Sequence, residues 1–367
     1  MVRHKWSRGG TPLISAAAVV MGALLVHVAD SPAQVVWPDV PLIEHSDYQA
    51  VDASGNSTYS GLYPFRMRGV VLNNTENWLN PTERFSSTTF DMGGEAEIFV
   101  QAVNLDGTDY DPNPGVAFND FSGTAAWIGQ CYHNLPWIGE PNFSYIDQGM
   151  AGSQPVWYDE LDRLGFNRPD TPLGANELVR AGDLVEIRAR INGLNYQGKH
   201  NVNEKHTNDP ANDFEVVILE KDYGLPEAAS LTLGDIKDAL DADIFDPMRQ
   251  TGGEHYQASL VELTNVRLLD PSGWATNADL TLVDDSGRSL PIHLGLDPDF
   301  DIQPAPEGYF NVVGIMDQKG SNVGGYRLLA LEYAGISQVP EPASMALLAA
   351  AGVALGVFRL RRRRGQA

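Results

Sequence analysis

Strict alternation of apolar and polar residues marks most of the middle of this chain as β-structure. Leu184 to Ile191 is the cleanest case, with Val185, Ile187, Ala189 and Ile191 opposing Glu186, Arg188 and Arg190. Pro64–Leu72, Ala96–Val103, Gly123–Cys131 and Phe214–Leu219 complete a first group of five predicted strands. A second group follows at Gln257–Leu268, Ala278–Asp284, Arg288–Leu294, Tyr309–Met316 and Tyr326–Tyr333. Asp285-Ser286-Gly287 sits between two of these as a hairpin turn. Helical spacing is confined to two places. Trp157, Leu161 and Leu164 share a face within Ser153–Leu164, closed by Gly165. Leu233, Ile236, Leu240 and Ile244 share another, behind a cap formed by Thr232 and Asp235.

The two groups resemble each other. Arg68-Gly69-Val70-Val71-Leu72 aligns with Leu263-Thr264-Asn265-Val266-Arg267, and Gly182–Ile187 aligns with Gly308–Val313. Five strands with a helix between the third and fourth is the order of the OB-fold, a small Greek-key barrel. The second half has only the Pro-rich Leu296–Glu307 where that helix belongs. Gly252–Gln257 (Gly-Gly-Glu-His-Tyr-Gln) and Gly325–Leu328 (Gly-Tyr-Arg-Leu) also resemble OB-type modules of secreted bacterial proteins. The expected fold is therefore mainly β, with two tandem OB-like barrels over 61–222 and 223–335 after a turn-rich lead-in over 34–60. β-Sandwich domains are the alternative. Val185, Ile187, Ala189, Ile191, Val313 and Ile315 are expected to point into two separate cores.

Both ends depart from this pattern. Arg3, Lys5 and Arg8 precede an apolar, Ala-rich run from Leu13 to Val28, and Ser31-Pro32-Ala33 offers small residues for cleavage. That is a secretory signal peptide over 1–33, cut between Ala33 and Gln34. At the other end, over 336–367, Val339-Pro340-Glu341-Pro342 is followed by an uncharged run to Phe358 and by Arg359, Arg361, Arg362, Arg363 and Arg364. As a helix rising about 1.5 Å per residue, that run reaches roughly 25 Å, barely a bilayer core. The arginines hold its end in the cytoplasm and place the rest of the chain outside. This order of parts resembles the PEP-CTERM sorting signal. The resemblance implies recognition by an exosortase, a membrane-embedded processing enzyme, with cleavage near the Pro-Glu-Pro. It further implies membrane attachment through the helix before processing, then delivery to the cell surface or exterior. The family is associated with bacteria that make exopolysaccharide, which makes exopolysaccharide a candidate partner.

Charge narrows the ligands. The chain carries a formal net charge of −23, and removal of both basic ends leaves the middle more acidic still. Such a surface repels nucleic acid and anionic lipid. Cys131 is the only cysteine, so the exported chain forms no internal disulfide.

Candidate chemistry is sparse. Trp127, Tyr132 and Trp137 lead an aromatic concentration suited to stacking on a sugar face, set against simple packing. His200, Glu204 and His206 invite a metal, but their spacing fits no ligand motif, and their Asn- and Lys-rich neighbours read as a solvated loop. Glu254-His255 beside Gly252-Gly253 reads as a tight turn entering a strand. Cys131 and His133 fall on one face of a strand, and a buried free thiol is the plainer reading. Asp106, Asp109 and Asp111, with Asp241, Asp243 and Asp246 and with Asp297, Asp299 and Asp301, leave calcium open without matching its twelve-residue loop. No catalytic motif is present, and neither cofactor nor metal is required. The expectation is a non-catalytic matrix or envelope component that contacts carbohydrate or protein. The alternative is a secreted metal-dependent hydrolase or a nuclease-accessory module whose OB-folds bind nucleic acid.

Overall fold

The computed structural model describes residues 36–78, 84–85, 89–91, 96–103, 120, 122–128, 135–136, 178–191, 193–203, 214–320 and 322–339. The chain divides into units 1–38 and 39–367, and every strand among the described residues lies in the second. Among the described residues ten strands belong to the first half: β1 (Phe65–Val71), β2 (Arg84–Phe85), β3 (Thr89–Asp91), β4 (Ala96–Gln101), β5 (Gly123–Ile128), β6 (Leu135–Pro136), β7 (Leu184–Ala189), β8 (Leu194–Tyr196), β9 (Lys199–Asn203) and β10 (Glu215–Glu220). Seven belong to the second: β11 (Ala229–Leu231), β12 (Leu260–Leu268), β13 (Asp279–Val283), β14 (Ser289–Leu294), β15 (Phe310–Gln318), β16 (Tyr326–Ala330) and β17 (Ile336–Gln338). Each of the ten strands expected from alternation is present.

The second sheet runs β11-β12-β13-β14-β16-β15-β17, and β12 also pairs with β15. That extra pairing closes β12, β13, β14, β16 and β15 into a five-stranded barrel. Within it β14 and β16 are parallel and the other neighbours antiparallel. The first sheet, β10-β7-β1-β4-β5-β9-β8, follows the same order, again with one internal parallel pair, β5 with β9. Among the described residues β7 and β9 do not pair, so this sheet is open where the other is closed. A small sheet, β2-β3-β6, stands apart.

Side-chain alternation sets the cores. Met67 lies opposite Ile187 and Leu263 opposite Val312, all four fully buried. By their inward faces, Met67 corresponds to Leu263 and Ile187 to Val312. The sequence alignment, which set Arg68 on Leu263 and Ile187 on Val313, is therefore slipped by one residue. A slip of one exchanges the two faces of a strand. The expected inward set carries the same error. Val185, Ile187 and Ala189 do enter the first core, with Phe65, Met67, Ile98 and Val202. Ile191 and Val313 are only half-buried, and Ile315 faces away from the barrel interior. The barrel is filled instead by Phe310, Val312, Val261, Leu263 and Ile292. Phe300, on a helical turn at Asp299–Ile302, joins that core from the Pro-rich segment where a longer helix was absent.

A third apolar cluster joins the sheets: Leu72, Trp78, Phe99 and Ala125 from the first half meet Ala258, Ile315, Leu329 and Leu331 from the second. The halves are thus not independent beads. Gly123 lies at one such close approach, since a Cβ there would lie 2.2 Å from the Ala258 carbonyl oxygen.

Local signals fared unevenly. Asp284 Oδ1 accepts the N–H groups of Ser286 and Arg288, and Gly287 takes φ +85, so the predicted hairpin turn forms. Asp235 accepts the Thr232 N–H at 2.7 Å as the cap pattern requires, but the helix lasts one turn, Leu233–Ile236. Asp238 then accepts the N–H groups of Leu240 and Ala242, an Asx-type turn that ends the helix and leaves Leu240 88% exposed. The helix predicted at 153–164 lies outside the described residues, as do the signal peptide and the C-terminal apolar run. Among the described residues no helix is long and apolar enough to cross a membrane.

Candidate functional site: a buried charged junction and the exit of the chain

Charge, not only apolar surface, joins the halves. Lys199 on β9 sends its ammonium 2.8 Å from Glu97 Oε1 on β4 and 2.7 Å from Asp317 Oδ1 on β15. Arg327 on β16 donates through Nε and Nη2 to Asp317 Oδ2, both at 2.8 Å. Trp78 Nε1 donates to Glu97 Oε2 at 2.9 Å, and its ring lies 4.9 Å from the Arg327 guanidinium carbon. His293 meets the same indole edge-on and bonds Asp279 at 2.8 Å through Nδ1. Burial works against the charge on Lys199, but Asp317 and Glu97 outweigh it and hold its pKa above the ordinary lysine value. Burial likewise opposes ionisation of Asp317, and Lys199 with Arg327 overcomes it, so that carboxyl stays below its usual range. Each charged group here already has its partners at hydrogen-bond distance. The arrangement can fasten two sheets.

A second ladder lies within the first sheet. Glu186 accepts from Arg66 Nη1 at 3.3 Å, Arg68 Nη2 at 3.1 Å and Arg188 Nε at 2.9 Å. The polar side of the cleanest alternating strand is therefore an ion-paired surface, largely out of water, rather than a solvated face.

A third network surrounds Glu254, which is fully buried on the helical turn Gly252–His255. Tyr326 donates to its Oε1 at 2.5 Å, and Arg249 Nε lies 3.8 Å from Oε2. Burial pushes the Glu254 carboxyl up and pulls Arg249 down to about 10. Arg249 Nη2 also donates to Ser122 Oγ at 2.5 Å, linking this loop to the start of β5.

The residues singled out in the sequence scatter among these frameworks. Trp127 is half-buried on β5, opposite Glu97 and Asn203; Tyr132 and Trp137 lie outside the described residues, so the aromatic platform is not assembled in what is described. His200 is not in a solvated loop. It sits on β9, buried, its ring stacked 4.2 Å from that of Tyr48 and its Nδ1 3.2 Å from Ser57 Oγ. Polar neighbours misled here because Lys199 and Asn201 are buried with it. Glu204, His206, Cys131 and His133 lie outside the described residues.

Asp241 accepts from Ser289, Asp243 pairs with Lys237 and takes the Gly325 N–H, and Asp246 caps Met248 and Gln250. Asp297 takes the N–H groups of Asp299 and Tyr333, and Asp301 accepts the backbone N–H and the side-chain O–H of Thr276. These carboxylates brace loops, and among the described residues no group of three metal-ligating side chains forms. Asp106, Asp109 and Asp111 lie outside them. Sequence reasoning assigned no joint role to Glu97, Lys199, Asp317 and Arg327. Their separations, 102 and 118 residues for the lysine's two partners, leave no local signal.

The chain leaves this framework through β17. Ile336, Ser337 and Gln338 pair with Val312, Asn311 and Phe310 on β15, and the Val339 N–H donates to the Tyr309 carbonyl at 3.0 Å. Gln338, the last residue of this strand, is the first of a recognisable segment. Residues 338–364 match the PEP-CTERM protein-sorting motif. That motif indicates an exported protein sorted by an exosortase to the cell envelope or surface. The match covers the C-terminal segment alone, and no curated protein matches the chain. Pro340 onward, with Glu341, Pro342 and Arg361 to Arg364, lies outside the described residues, and so do Ala33 and Gln34.

Proposed function

We propose that this is a non-catalytic surface protein whose β body is delivered, and then released or transferred, by processing at its C-terminal sorting motif. The match over residues 338–364 carries this reading. In it, the segment up to Ala33 directs export, the apolar run after Pro342 holds the chain in the membrane for a time, and Arg361 to Arg364 fix the cytoplasmic end. Pro340 and Pro342 flank Glu341, and a proline ring fixes its own φ and biases the residue before it away from helix.

The body is a pair of OB-like units. In its favour, the closed barrel has the first strand paired with the second and fourth and the third parallel to the fifth, and the first sheet repeats that order. The surface ordinarily used by an OB-fold for ligands, over its second and third strands, is partly taken in the second unit. Trp78 packs on His293 of β14, and the Leu296 N–H is bonded to the Asn77 carbonyl. Contacts with carbohydrate or protein therefore fall to the first unit, where Trp127 lies, and to the acidic exterior. The acidic surface disfavours nucleic acid.

Replacing Pro340, Glu341 and Pro342 by alanine in the full-length chain tests the delivery step. The variant is expected to stay uncut in the membrane fraction while the parent reaches the surface. Equal release of both forms would overturn the reading.

A further inference from the structure

Fold and sorting motif share a residue: β17 ends at Gln338, where the motif begins. The following Val339 is still bonded to Tyr309, so the chain is held on the barrel up to the residue before Pro340. An enzyme that cuts an extended chain near Pro340 has to grip residues on its N-terminal side, and extended segments are gripped through their backbone N–H and C=O groups. Those residues are Ile336 to Val339. Their groups on one side are committed to β15 and are not free to pair with a cleft while that pairing lasts.

We infer that β17 is a transferable strand: it leaves β15 and pairs with the processing enzyme during recognition, β15 and the enzyme competing for the same backbone groups. The inference rests on the sorting reading above. The strand suits such an exchange. It is three residues long, it lies at the edge of its sheet, and Ser337 and Gln338 are exposed. Only Ile336 anchors it, half-buried against the barrel core. Short edge elements with few buried contacts open locally, well below the cost of global unfolding. The rest of the barrel keeps its closure without β17, because β15 remains paired with β12 and β16.

The test uses the full-length chain in a host that carries an exosortase, with Cys131→Ser to remove the native thiol. Asn311→Cys with Ser337→Cys places two thiols directly opposite each other across β15 and β17. Opposed residues in a sheet stand about 4.5–5.5 Å apart at Cα, within disulfide range, and the bond forms after export in an oxidising compartment. Locking the strand removes its competent population, so cutting is expected to slow by roughly tenfold or more, with recovery on reduction. Equal cutting of the oxidised and reduced forms would overturn the inference. Ile336→Ser needs no new bond and covers the case in which the cysteine pair does not accumulate. It frees the anchor and is expected to speed cutting; unchanged or slower cutting would count against strand transfer. The variant with Pro340, Glu341 and Pro342 replaced, run alongside, separates the two levels. If it is cut like the parent, the sorting reading fails whatever β17 does.

Discussion

Removing the ammonium of Lys199 is the sharpest perturbation of the body. The group lies 2.8 and 2.7 Å from two carboxylates and all three side chains are buried. Lys199→Met keeps the stem's bulk but strands Glu97 with only the Trp78 N–H and Asp317 with only Arg327. Breaking a buried pair by deleting one partner costs about 3–5 kcal/mol, because the remaining charge has no water to turn to. At a few degrees per kcal/mol for a body of this size, the melting temperature should fall by roughly 5–15 °C.

The pH profile supplies an independent sign. The pKa of Lys199 is raised in the fold, so its stabilisation is complete below the unfolded lysine value and is lost as pH rises through the higher folded value. The pKa of Asp317 is lowered, so its stabilisation is present above the unfolded carboxylate value and is lost as pH falls through the lower folded one. Lys199→Met should remove the Lys199 share of the alkaline loss, leaving that of the buried tyrosines, and keep an acid loss through the Asp317–Arg327 pair. Urea titrations of the purified protein across pH measure both. A variant within about 0.5 kcal/mol of the parent, the range of a neutral surface change, would refute the junction as a fastening.

Two further outcomes follow from neighbouring groups. Glu254 has a raised pKa, chiefly from burial, so the parent should lose stability as pH climbs from the ordinary glutamate value through the folded one. Glu254→Gln should flatten that slope in the same titrations while keeping the partner of Tyr326. Trp78→Ala removes an indole that packs between the halves, together with its bond to Glu97 and its stack on Arg327, and should cost about 3–5 kcal/mol by denaturant unfolding.

What could be read from the residues divides along one physical line. Local periodicity survives in a sequence, so ten strands, the Asp285–Gly287 turn and the Thr232 cap were legible. Pairing between distant strands does not, and the alignment of the halves slipped by one residue because Val312 and Val313 are equally apolar and only the register distinguishes them. β9 escaped notice because Lys199-His200-Asn201-Val202-Asn203 looks solvated; its polar groups are buried against partners more than a hundred residues away. Leu240 shows the converse, a residue in phase with a helix that an aspartate turn ends first. The sorting segment was legible throughout, since its chemistry is written in consecutive residues and asks nothing of the fold.

The central claim, an exported body processed at the motif that begins on β17, is tested most directly by the intact mass and terminal peptides of the protein extracted from the cell surface. The account predicts a chain that starts at Gln34 and ends near Pro340. Mature molecules that carry the peptide through Arg364 would contradict it.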